Sequence, residues 1–131
     1  MTAITAGAAY FAIVFAIGFI LGTIRVLLLA PTLGDTTAVL IETPFILTAS
    51  WIVCGYVIRK ISVPADLSAR ITMGAVALGL LLAAETVLGV TAFGRTLNDI
   101  AAQYATAAGA LGLAGQIVFA AFPLMRARPG R

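Results

Sequence analysis

The sequence predicts an all-α polytopic membrane protein, an antiparallel four-helix transmembrane bundle with both termini cytoplasmic. Three observations lead there. Hydrophobic residues make up 62% of the chain and charged residues only 10%, whereas a soluble domain carries roughly 25% charged residues. The apolar residues gather into four runs, each long enough to cross roughly 30 Å of hydrocarbon at a rise of about 1.5 Å per residue. The basic residues lie mostly at the ends of these runs, and they favour one side.

The first span is expected over residues 3–29, with Arg25 as its only charge and with Pro31 and Gly34 as its stop. No Lys or Arg precedes it, and its apolar core is longer than that of a signal peptide, so it is expected to stay in the mature chain. The second span is expected over residues 37–58; it contains Glu42 and Pro44 and is closed by Arg59 and Lys60. Asp35 and the threonines beside it are candidate caps at its start. The third span is expected over residues 71–93, with Asp66 or Ser68 as its cap and Glu85 in its interior. The fourth is expected over residues 104–125, with Gln116 as its strongest polar residue. Before it, Asn98 or Asp99 is expected to start a short amphipathic turn. Residues 126–131 form a basic tail. The connections are short, which favours antiparallel neighbours in a single four-span domain.

Orientation follows from the cations. Arg59, Lys60 and Arg70 lie in the loop between spans two and three, and Arg126, Arg128 and Arg131 lie in the tail. Only Arg25 and Arg95 belong to the other side. The bias places both termini in the cytoplasm, and the expected location is a bacterial inner (cytoplasmic) membrane.

Arg25, Glu42 and Glu85 stand inside apolar runs. An ionisable side chain in hydrocarbon costs about 2.5–3.5 kcal/mol on insertion scales, so it marks a partner or a site. At helical rise Arg25 lies about 6 Å, Glu42 about 7 Å and Glu85 about 12 Å below the same membrane edge. They therefore form a candidate polar cluster in the outer leaflet, with Pro44, Gln116 and Trp51 as supporting residues. Arg25 shares its face with Gly18 and Gly22, Glu85 with Gly74, and Gln116 with Gly109 and Gly112. Small residues let helices approach closely, so these are the expected packing faces.

One arginine neutralises one carboxylate, and the surplus acid in a low-dielectric site keeps its proton. Glu85 is the deeper of the two acids and is expected to be that one. Each residue also has a plainer reading. Arg25 can snorkel to the headgroups. The stretch Glu42-Thr43-Pro44 can be the entrance of span two, with Pro44 in its first turn, or Pro44 can lie inside a helix that begins near Thr37. Glu85 and Gln116 can serve inter-helix hydrogen bonding alone. Trp51 can pack in the bundle or line an apolar pocket, and Tyr56 reads as an interface anchor.

Other chemistry is poorly supplied. There is no histidine and a single cysteine, Cys54, which reads as a small buried hydrophobe. Neither a metal nor a cofactor is expected, and phosphate-binding loops and nucleophile elbows do not occur. The basic residues flank apolar runs and form no stripe for nucleic acid. The expected partners are the lipid bilayer and a homo-oligomer or larger membrane complex. The leading expectation is a non-catalytic accessory or assembly subunit, or a binder of an apolar ligand. The alternatives are an oligomeric small transporter or channel that uses Glu85 for proton or cation coupling, and a membrane enzyme performing acid–base chemistry on a lipid or isoprenoid.

Overall fold

The structure, a computed structural model, describes residues 2–92 and 94–126. Every regular element in it is helical. Four helical stretches are long and apolar enough to cross a membrane: Thr2–Leu33, Asp35–Ile61, Leu67–Thr91 and Ala107–Met125. The expected end of span three at Phe93, and the tail beyond Arg126, lie outside the described residues.

The first stretch is composite. Helix α1 covers Thr2–Ile24, a π-helical turn covers Arg25–Leu29, and α2 covers Ala30–Leu33. Pro31 explains the change of pitch. It has no N–H for the carbonyl four residues back, and its ring crowds that carbonyl. The preceding turn widens, and Ala30 N–H reaches back to the Arg25 carbonyl. Pro31 therefore does not stop the helix, as the sequence led us to expect. Gly34 does so with φ of +88°, in the region that glycine adopts without a Cβ penalty.

Helix α3 spans Asp35–Ile61. Asp35 lies in its first turn and Arg59 and Lys60 in its last, matching the helix dipole at both ends. Pro44 is inside this helix. Of the two readings of Glu42-Thr43-Pro44, the structure takes the one with Pro44 inside a helix that begins near Thr37, its first residue being Asp35. Helix α4 (Leu67–Thr91) follows Asp66, whose backbone is extended and whose side chain makes no capping bond. Helix α5 (Leu97–Gln103) opens on a reciprocal capping box: Thr96 N–H donates to Asp99 Oδ2 at 3.0 Å, and Asp99 N–H donates to Thr96 Oγ1 at 3.1 Å. The cap is Thr96, with Asp99 in its third-position role. Helix α6 (Ala107–Met125) is capped by Thr106, whose Oγ1 accepts from Gly109 N–H at 3.0 Å.

Helix α1 packs on α3 and α4, and α6 packs on the same two helices, so the four long helices make a ring of neighbours. Two glycines allow the closest approaches. A Cβ on Gly7 would meet the Met73 carbonyl at 2.7 Å, and one on Gly74 would run into the Ala120 carbonyl of α6.

The core lies at one end of this ring. Tyr10, Ser50, Cys54, Met73 and Pro123 are its largest fully buried side chains. Pro123 sets the chemistry there. It cannot donate to the carbonyl of Phe119, one turn earlier. The Tyr10 hydroxyl donates to that carbonyl at 2.7 Å, and the two rings stack at 4.3 Å. Trp51 meets Phe122 edge-on at 5.2 Å, and the Arg126 guanidinium lies 3.9 Å above the Trp51 ring while Nη2 donates to the Trp51 carbonyl at 2.7 Å. Arg70, 4% exposed, donates to the carbonyls of Pro64 and Pro123, each at 3.0 Å. The Pro123 carbonyl is among the last of α6, where no further helical N–H arrives.

Candidate functional site

The opposite end of the ring holds the polar residues singled out in the sequence. Arg25 is the first residue of the π-helical turn. Its Nε donates to Glu42 on α3, at 2.8 Å to Oε1 and 3.4 Å to Oε2. The contact is made through Nε alone and is not the two-pronged fork of an ideal arginine–carboxylate pair. The Arg25 side chain is 30% exposed and that of Glu42 16%, so Arg25 reaches into a pair while keeping one edge outside.

Glu85, on α4, is not joined to that pair. Its Oε1 accepts from Gln116 Nε2, on α6, at 2.5 Å. The three charges therefore form two separate contacts, Arg25–Glu42 between the first stretch and α3, and Glu85–Gln116 between α4 and α6. Gln116 Oε1 is buried and accepts no hydrogen bond within the protein. An unpartnered buried acceptor costs about 1–3 kcal/mol, so this atom marks an unmet need at the site.

Between the two contacts lies a cavity of about 500 Å³. Glu42, Glu85 and Gln116 all border it, and the remaining wall is mostly apolar, with Phe15 and Phe19 from α1, Ile46 from α3 and Leu81 and Leu88 from α4. Its size falls within the roughly 300–1,000 Å³ usual for small-molecule sites, and apolar walls with a few convergent polar groups are their usual lining. A second cavity of about 230 Å³ lies between α4, α5 and α6, and Arg95, Gln103 and Tyr104 contribute to its wall. Glu85, Leu88, Gly112 and Gln116 border both cavities. Across the mouth of the second, Arg95 Nη1 donates to Gln103 Oε1 at 2.6 Å. The Asp99 carboxyl, on α5, is held below the usual carboxylate range, first by the backbone N–H of Thr96 and then by its hydroxyl.

The supporting residues divide between the two ends. Pro44 is exposed on α3, and Thr43 and Thr48 beside it bond the carbonyls of Val39 and Pro44, each at 2.7 Å. Trp51 is in the packed end, and no part of it borders either cavity. Gly18 faces Ile46 of α3 at van der Waals distance, and Gly22 faces its own neighbour Arg25. Gly109 lies against the Gln103 carbonyl, so it serves the tight α5–α6 turn. A Cβ on Gly112 would meet nothing within 4 Å.

Tyr10 read as an interfacial or packing residue and packs; sequence reasoning passed over Arg70 and Arg126 as structural residues. Arg70 and Arg126 were read as topological markers, whereas here their guanidinium groups satisfy backbone carbonyls. Among the described residues no group of three His, Cys, Asp or Glu side chains could hold a metal ion. The chain matches no known family model, no curated protein and no solved structure. Its own geometry has to carry the functional argument.

Proposed function

We propose that the four long helices cross a bacterial inner membrane as an antiparallel bundle with both termini cytoplasmic, and that the protein is a non-catalytic binder of an apolar ligand. The observation that carries this reading is the cavity of about 500 Å³ between the ion pair and the acid–amide pair. In the basic-residue orientation it opens in the outer leaflet. A wall built from Phe15, Phe19, Leu81 and Leu88 takes up an alkyl or isoprenoid chain, and Glu42, Glu85 and Gln116 fix where its polar end stops. An acid–base enzyme has less support, because Glu42 is already engaged by Arg25 and Glu85 faces a neutral amide.

Gly112→Leu tests the reading. The new side chain projects from a position with open space around it, on the border of both cavities. The purified variant should unfold within about 0.5 kcal/mol of the parent, as substitutions that disturb no packing do. Native mass spectrometry should detect a lipophilic molecule on the parent chain and none on the variant. A parent chain that carries and takes up no such molecule, or a variant that retains it, would sink the proposal.

A further inference from the structure

The hydrogen bond between Glu85 and Gln116 is a partition. The apolar cavity lies on one side and the cavity walled by Arg95, Gln103 and Tyr104 lies on the other, and both side chains border each of them. The partition itself offers more acceptors than donors, and the donors nearby, Arg95 and Tyr104, stand on the wall of the polar cavity. Gln116 Nε2 is turned to Glu85 Oε1. Gln116 Oε1 is buried and accepts nothing within the protein. The Glu85 carboxyl adds a second oxygen, and the partner the structure gives it is a neutral amide. Across the cavity, Glu42 already has its cation in Arg25.

The group that completes such a partition has to donate more than one hydrogen bond and draw Glu85 into its ionised form, since an acid alone in an apolar wall keeps its proton. A hydroxyl brings one donor and no charge. An anionic head brings no donor and leaves Glu85 protonated. A primary ammonium brings three donors on a compact positive centre and meets both requirements. Resting on the binding reading above, we infer that the cavity takes a single-chain alkylammonium amphiphile. Its chain lies against Phe15, Phe19 and Leu81. Its head sits at the partition and donates to the Glu85 carboxylate and, once the Gln116 side chain turns its buried oxygen outward, to Gln116 Oε1.

The full chain in lipid nanodiscs, with protein-free nanodiscs as the blank, is titrated with radiolabelled tetradecylamine and with tetradecanol. The parent should bind the amine at least about tenfold more tightly than the alcohol, as expected for charge-assisted over neutral hydrogen bonding. Glu85→Gln should bring the amine down to the affinity of the alcohol and leave the alcohol unchanged. Gln116→Met, which keeps the carboxylate, should weaken the amine by a smaller factor, and it decides the matter if Glu85→Gln fails to fold. Equal affinities on the parent, or an amine preference that survives the loss of Glu85, would overturn the head-group assignment and leave the cavity reading standing. Failure of both probes to bind, or binding that Gly112→Leu does not reduce, would overturn both.

Discussion

The two ends of the helix ring are built from similar residues and do different things. At the Tyr10 end, aromatic rings, the buried Arg70, the half-buried Arg126 and a methionine fill the space; the carbonyls of Phe119 and Pro123 find side-chain donors in Tyr10 and Arg70, and one buried polar atom, Arg126 Nε, is left without a partner. At the Glu85 end, equally apolar side chains stand back from one another around a cavity, and a buried amide oxygen goes without a donor. Well-packed interiors leave few voids larger than a water molecule. The Glu85 end departs from that packing, with an open cleft of about 500 Å³ at its polar residues. The lesson is that burial of polar groups alone does not separate structure from function in this chain. Arg70 is more deeply buried than Glu85, yet its hydrogen bonds are made within the protein.

The same substitution at the two ends gives the sharpest contrast. Gly74→Leu forces a side chain into the Ala120 carbonyl, and backbone cannot yield as a side chain tip can. Size-exclusion chromatography should show little or no folded protein, whereas Gly112→Leu should elute as the parent does. A folded Gly74→Leu protein with an unchanged melting temperature would mean that the packed end is looser than described. Next in size is Phe122→Ala, which removes the buried ring that meets Trp51 edge-on and borders neither cavity. It should cost about 3 kcal/mol by chemical unfolding, in line with other buried aromatic truncations. A loss no greater than that of Phe15→Ala, at the cavity wall, would erase the distinction between the ends.

The ion pair comes third. Arg25→Ala leaves Glu42 without its cation and should lower stability by about 2 kcal/mol. The double variant with Glu42→Gln should recover part of that loss, because no unpaired charge remains. Simple additivity of the two substitutions would show that Arg25 acts through the bilayer surface instead. The smallest effect belongs to α5. The Asp99 carboxyl is held below its ordinary range in the folded protein, so its contribution is fully present above the ordinary carboxylate range and is lost as pH falls through the lowered folded value. Amide exchange in residues 97–103 should accelerate in that acidic window and not near neutrality. Thr96→Ala should produce the same fraying at every pH, and protection in α5 that ignores both changes would remove the capping box from the account.

Much of the architecture was legible because it is written in local patterns. Runs of apolar residues and flanking cations mark four spans without any knowledge of their partners. Their edges were less legible. Pro31 was read as a stop, but a π-helical turn absorbs it, and that turn depends on Ala30 reaching back to Arg25. The site was half legible. The rarity of charge in apolar runs exposes Arg25, Glu42 and Glu85 at once, and helical rise places them at comparable depth. It cannot say which acid Arg25 meets, because that depends on which helices become neighbours and how each is rotated. The glycines show the same division. Gly74 and Gly109 both read as packing faces, yet one meets another long helix and the other meets its own preceding turn.

The sequence by itself determined that the chain has four long apolar helices, that its cations gather at the ends of apolar runs, and that three charges and one amide stand among apolar residues and need partners. These follow from composition and periodicity, which act residue by residue. Only the tertiary structure decided that Arg25 takes Glu42, that Glu85 takes Gln116, that Tyr10 answers the carbonyl freed by Pro123, and that a cavity separates the two polar contacts. Such pairings depend on the packing and rotation of whole helices, where an offset of one residue turns a side chain by about 100° and moves it about 1.5 Å along the axis.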